Sequence, residues 1–261
     1  MSVRELNLYL DSFISIIRRE IRYKMILDVL VFAAHPDDAE LSMGGTIARF
    51  TSQGVKVGII DLTKGEMSTR GNLKTRANET AAASGILNVK VRENLGLMDG
   101  NISVSENSIK KIVLQIRKYK PKTVFAPYFN DRHPDHIDAS TLVKRAVFKA
   151  GLEKFKTTKS GKSQNPFRPK KIFYYMQTYL FQPSVIVDIS EHFETKMKAV
   201  QAFKSQFHNP SLKKEDTFIS RPEFLEYVEA RAKFYGFQIG KRYGEPFYCE
   251  EAIEYDFLNQ L

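Results

Sequence analysis

Residues 27–40 read LDVLVFAAHPDDAE. The first eight positions form a nearly unbroken apolar run. That pattern suits a parallel strand covered on both faces better than the alternating strand of a half-exposed sheet. The run stops at His35-Pro36, and two carboxylates follow at once. Residues 42–54, SMGGTIARFTSQG, then read as a helix closed by Gly54, and residues 55–62, VKVGIIDL, as a second buried strand. Strand, polar turn, helix and strand make one βαβ unit, the building block of a parallel sheet.

The alternation continues outward from this unit. Helices are expected over 75–87 and 108–119, the second ended by Pro121. A short strand is expected within 89–97, a buried strand at TVFAP (123–127), and a helix over 138–151 closed by Gly151. Strands are read in KIFYYMQTYLF (171–181) and SVIVDIS (184–190), and helices over 191–207 and 221–236. The expected fold is α/β: a Rossmann-like three-layer arrangement with a mostly parallel sheet, plus C-terminal strands and helices. Residues 25–261 form one domain in this reading. Residues 156–170, punctuated by Gly and Pro, read as a mobile loop and a candidate lid. Residues 1–24 carry Leu6, Leu10, Phe13, Ile14, Ile17 and Ile21 on one helical face and read as an amphipathic N-terminal extension. Met25, two residues before the first strand, is an alternative start.

Composition bounds the partners. The 261 residues include 40 Lys and Arg against 30 Asp and Glu, a formal charge of +10. A solvated basic surface or a small anionic substrate accounts for that balance. The basic residues are dispersed and no RNA- or DNA-binding signature is present, so nucleic acid is not expected. No apolar run is long enough to span a bilayer. The single cysteine, Cys249, cannot form an intrachain disulfide. With no secretory leader pattern at the N-terminus, a cytoplasmic location is expected.

Three of the five histidines sit in two similar phrases, AAHPDDAE (33–40) and DRHPDH (131–136). Each begins where a predicted parallel strand ends. Ligands of such sheets gather beyond the carboxyl ends of the strands, so both phrases are expected on one rim. Imidazole and carboxylate are zinc ligands, and a catalytic zinc commonly takes three from protein. His35 and Asp38 could converge across the strand-to-helix turn, with His136 as the third ligand. Asp37 would then stand beside the metal as a general base. His133 could stabilise an oxyanion if protonated, with Asp135 holding its ring. His192 and His208 have no comparable setting and read as structural or surface residues. A dinucleotide-binding module is disfavoured because the first turn is HPDDAELSMGG rather than G-x-G-x-x-G. A serine hydrolase is disfavoured by the absence of G-x-S-x-G.

The two phrases resemble the hallmarks of the LmbE/PIG-L-like zinc deacetylases of N-acetylated sugars, over about Leu27 to Phe247. DLTKGEMSTRG (61–71), RENLGLMDG (92–100), SQF (205–207) and YGEPF (243–247) resemble the subgroup that deacetylates N-acetylglucosaminyl malate in bacillithiol biosynthesis. The resemblance implies the same roles: His35, Asp38 and His136 as metal ligands, Asp37 as base and His133 as its assistant. It adds Arg76 and Arg132 as substrate contacts, with Arg70 a weaker candidate, and places Asp135 and Glu40 behind the ligands. It implies Zn2+, with Fe2+ as an alternative, a small anionic N-acetyl sugar substrate, and a homo-oligomer such as a hexamer. Another N-acetyl sugar or glycoconjugate as substrate, and a non-catalytic binding module, remain the competing expectations.

Overall fold

The computed structural model describes residues 25–208 and 217–254. The expected N-terminal helix over 1–24 lies outside the described residues. Nine strands are described: β1 (Val29–Ala33), β2 (Val57–Asp61), β3 (Val91–Asn94), β4 (Thr123–Pro127), β5 (Thr158–Lys159), β6 (Lys162–Ser163), β7 (Lys171–Tyr175), β8 (Val185–Asp188) and β9 (Gly244–Tyr248). The helices are α1 (Asp38–Ser52), α2 (Leu73–Ile86), α3 (Glu106–Tyr119), α4 (Pro134–Ala150), α5 (Phe193–Gln201) and α6 (Glu223–Gln238), with a 3-10 turn at Phe218–Ser220.

Seven strands form one sheet in the order β3-β2-β1-β4-β7-β9-β8. Strands β3, β2, β1, β4 and β7 are parallel, whereas β9 runs antiparallel to both β7 and β8. The near-continuous apolar runs follow from burial on both faces. Leu30, Phe32, Ile60 and Val124 face a core shared with Ile112 and Val113 of α3 and Leu142 and Val143 of α4. Val29, Val31, Ile59 and Phe125 face the opposite core, with Met43 and Ile47 of α1, Ala83 of α2 and Val200 of α5. The layers are therefore helix, sheet and helix, as expected.

Local capping explains several boundaries. Ser105 and Asn72 accept the N–H of Ser108 and Thr75 at the starts of α3 and α2. Lys120, left-handed at φ 47°, closes α3 before Pro121. Strand β9 has no counterpart in the sequence reading. Pro246 argues against an interior strand, yet the antiparallel register pairs it with Ile186. Residues 156–170 hold the β5–β6 hairpin, and Arg117 of α3 binds the Phe155 carbonyl and the Thr157 hydroxyl beside it. Arg117 lies in the last turn of α3, and its Nε donates to the carbonyl of Ala150, the last residue of α4. Both helix ends sit at the amino edge of the parallel strands, so the hairpin lies across the sheet from the rim where a lid would be needed.

The chain leaves β1 towards β2 on one side and leaves β4 towards β7 on the other. The carboxyl ends of β1 and β4 therefore flank a topological switch point, where a crevice opens in sheets of this kind.

Candidate active site

Both His-Pro-Asp phrases reach this crevice. The first forms the turn from β1 into α1. The second starts α4, with His133 as the residue before the helix and Pro134 in its first turn, where the missing N–H costs nothing. The helix thus begins four residues earlier than the sequence reading placed it.

His35, Asp38 and His136 come together, with one ligand atom of each within 4.8 Å of the others. His35 Nδ1 lies 3.5 Å from Asp38 Oδ2, and His136 Nε2 lies 3.3 Å from Asp38 Oδ1. The opposite ring nitrogens are held from behind. His35 Nε2 is 3.0 Å from Asp99 Oδ1 and 3.2 Å from Asp135 Oδ2, while His136 Nδ1 is 2.8 Å from Asp131 Oδ1. Such carboxylate contacts fix the orientation of metal-binding imidazoles and raise their basicity. Two imidazoles and a carboxylate, each oriented from outside, fit a divalent cation. His35, His133 and Asp135 also cluster. The Asp135 carboxylate, however, already accepts the N–H groups of Gly100 (2.7 Å) and Ile102 (3.2 Å), so the first set is the better cradle.

Two expectations need correction. The Asp135 side chain holds His35, not His133. What Asp135 gives His133 is its backbone N–H, donated to Nδ1 at 3.2 Å. That bond assigns the proton of a neutral His133 to Nε2. Burial, together with the neighbouring His35 and His136, pushes the His133 pKa below the usual imidazole value. The shift favours a neutral ring over an imidazolium.

Asp37 is 4% exposed and adopts φ 123°, a conformation L residues rarely hold. It precedes α1 but makes no side-chain capping bond. Its carboxylate is turned to Arg76, whose Nη2 donates at 2.9 Å. Burial pushes its pKa up to about 7; Arg76 pulls it down, and Asp38 pushes it further up. A carboxylate poised near neutrality is suited to accept and return a proton. Behind it, fully buried Glu40 pairs with Arg92, which also grips Asp61 through two 2.9 Å bonds. Glu40 thus supports the turn from within.

His35, Asp37, Asp38, Asp99, His133 and His136 line a cavity of about 310 Å³. Arg76 and Arg132 both reach it; the Arg132 guanidinium lies 4.6 Å from the Phe218 ring centre. Arg70 does not line it and donates instead to the Ser205 carbonyl. The sequence reading missed Asp131, Asp99, Gln177 and Arg231. Asp131, inside the quoted DRHPDH, was within reach of spacing arguments. Gln177 and Arg231 carry no local signal, because folding alone brings them to the cavity.

Comparison with known proteins shows the family. The family profile for GlcNAc-PI de-N-acetylase (PIG-L) matches residues 30–147. The diacetylchitobiose deacetylase of Thermococcus kodakarensis is 33% identical over 230 residues, 83% of this chain and 80% of the relative. The probable N-acetyl-alpha-D-glucosaminyl L-malate deacetylase 2 of Bacillus cereus is 29% identical over 68% of this chain and 83% of its own. The crystal structure of a conserved protein from Thermus thermophilus superposes with a TM-score of 0.80 at 38% identity, covering 88% of this chain and 98% of that one. Fold and sequence similarity together place the chain in the PIG-L/LmbE family.

Proposed function

We propose that the protein is a divalent-metal N-deacetylase that hydrolyses the acetamide of an N-acetylglucosamine unit in a small glycoside. The observation that carries this reading is the convergence of His35, Asp38 and His136 beside a buried Asp37 whose carboxylate meets the Arg76 guanidinium at 2.9 Å. His35, Asp38 and His136 would hold the cation, with Zn2+ the first choice and Fe2+ compatible with the same donors. When bound, such an ion polarises a carbonyl and acidifies water. Asp37 takes the proton of the attacking water and later returns one to the departing amine. His133 donates its Nε2–H to the oxygen that gains charge in the tetrahedral intermediate, and as a neutral donor it does so without changing protonation state. Arg76 favours the ionised form of Asp37 against the effect of burial, and its side chain borders the cavity where a substrate would lie. Acetate and a free amine are the products.

The finer reading is N-acetylglucosaminyl-L-malate. Arg76, Arg132 and Arg231 line the cavity, and guanidinium groups suit carboxylates. A neutral disaccharide is the second reading. The Thermococcus relative favours it, as do the Phe218 and Tyr227 rings on the cavity wall, against which a sugar face could stack. The test is acetate release by the metal-loaded protein from the malate glycoside, diacetylchitobiose and free N-acetylglucosamine, with a chelated control. Preference for the malate glycoside supports the finer reading, and preference for chitobiose the second. Full metal occupancy with no acetate from any substrate would leave a binding module instead. Homo-oligomer formation belongs to the same proposal and is checked by sedimentation. So does a cytoplasmic site of action, with which buried, unpaired Cys249 is consistent. Among the described residues, no helix is long and apolar enough to cross a membrane.

A further inference from the structure

Gln177 follows β7, far in sequence from both His-Pro-Asp phrases. Its side chain nonetheless reaches the ligand cluster. Nε2 donates to Asp38 Oδ1 at 2.7 Å and lies 3.2 Å from His136 Nε2. The other Asp38 oxygen, Oδ2, accepts the backbone N–H of His35 at 2.8 Å. The carboxylate is thus held by one donor on each oxygen, which fixes both its rotation and its tilt. Without Gln177, Oδ1 keeps only the His136 ring nitrogen at 3.3 Å, an atom that would turn its lone pair to a cation, and the carboxylate can then swing about the His35 backbone bond. The amide Oε1 of Gln177 is buried with no partner among the described residues. A buried acceptor left so is costly, and it gives the amide a second handle towards a cation or its water.

Gln177 is itself anchored from the C-terminal helix. Arg231 of α6 donates Nη1 to the Gln177 carbonyl and Nη2 to the Leu41 carbonyl at 3.4 Å. One guanidinium therefore ties the end of β7 to α1, the helix that carries Asp38. On the other side, the backbone N–H groups of Thr178 (2.8 Å) and Tyr179 (3.4 Å) donate to Asp131 Oδ2, and the other Asp131 oxygen holds His136. The segment after β7 is accordingly clamped between the supports of two ligands. Residues outside the ligand set commonly set metal affinity in this way.

We infer that Gln177 is a positioning residue of the metal site: it orients Asp38 for the cation, and Arg231 holds it in place, so that the C-terminal helix sets metal affinity. The inference rests on the metal reading above, and the experiment separates the two. Zn2+ dissociation constants would be measured by competition with a chromogenic chelator, for the wild type, Gln177→Leu, Gln177→Glu and Arg231→Met, with circular dichroism of each metal-free form. Gln177→Leu, which keeps bulk and loses the donor, should weaken Zn2+ binding by about 10–100-fold. Arg231→Met should weaken it in the same direction by less. Gln177→Glu replaces the donor with an anion that can face the cation, and should recover affinity relative to Leu. Equal affinity of wild type and Gln177→Leu overturns the inference. If Leu is weakened and Arg231→Met is not, the tether is overturned and the positioning role stands. If the circular dichroism of Gln177→Leu departs from wild type, Gln177→Met, which also lacks the donor, takes its place, and equal Zn2+ affinity of that variant and wild type overturns the inference. Failure of the wild type to bind Zn2+ would overturn the metal reading itself.

Discussion

Replacing Arg76 by Met tests the acid–base assignment most directly. The Arg76 guanidinium and the Asp37 carboxylate meet at 2.9 Å, with both side chains less than a tenth exposed. With charge centres roughly 4 Å apart and an effective dielectric near 20, their attraction is about 4 kcal/mol, which corresponds to roughly 3 pKa units as an upper bound. The sign follows from the chemistry. Burial already raises Asp37 to about 7, and Arg76 opposes that rise. Its removal lifts the pKa further, by about one to three units, and a general base with a higher pKa is ionised over less of the neutral range. At pH 7 a carboxylate titrating at 7 is half ionised, and one unit higher it is about a tenth ionised. For a carboxylate titrating at 7 the loss in rate at pH 7 is about fivefold for a one-unit rise and about 500-fold at the upper bound. A bound cation lowers the Asp37 pKa in both forms, so it shrinks the loss at pH 7 but leaves the shift between the two pKa values.

The assay is the pH profile of kcat/KM for acetate release, whose acid limb reports the free enzyme. Because Arg76 can also contact substrate, the position of the limb is diagnostic and its height is not. Arg76→Met should move the limb to higher pH, and Arg76→Lys, which keeps the charge, should restore most of the shift. A limb that stays in place, or moves down, refutes the assignment of Asp37 as the titrating base under Arg76 control.

Three other outcomes follow from the geometry. His133→Ala should lower kcat by about 10²–10³ while Zn2+ remains bound, as measured by metal analysis alongside turnover, because it removes a donor to the oxyanion and no ligand. Asp131 is held down to about 2 against an ordinary 3.8, with bonds from His136, His133 and Thr178 outweighing the effect of burial. A depressed folded pKa contributes stability above the unfolded value, and that stability is lost as pH falls through the folded one. Asp131→Asn should therefore melt lower than wild type near pH 6 in chelator, with the gap closing between about pH 4 and 2. Gly236→Ala in α6 would place a Cβ 2.6 Å from the Tyr243 backbone nitrogen, which cannot withdraw as a side chain can. Urea unfolding should show a loss of about 1–3 kcal/mol.

Much of the fold was legible because burial on two faces writes itself into consecutive residues. LDVLVFAA and TVFAP could be little else than inner parallel strands, and the polar phrases after them could only lie on the shared rim. The convergence of His35, Asp38 and His136 was legible for the same reason: His35 and Asp38 are neighbours in one turn, and His136 sits at the corresponding place after β4. Strand β9 was not legible, because Pro246 in isolation argues against a strand and only its pairing with β8 and β7 overrides that signal.

The sequence by itself therefore determined the layer order, the rim and the residue types that meet there, since these depend on short-range periodicity and on a general rule of parallel sheets. Tertiary structure decided which atoms touch. That Asp135 supports His35 rather than His133, that Arg70 turns away while Arg231 turns in, and that Gln177 reaches Asp38 all depend on segments up to about 190 residues apart arriving within hydrogen-bond range. Contacts of that kind are set by packing geometry and mutual burial, quantities that leave no periodic mark along the chain.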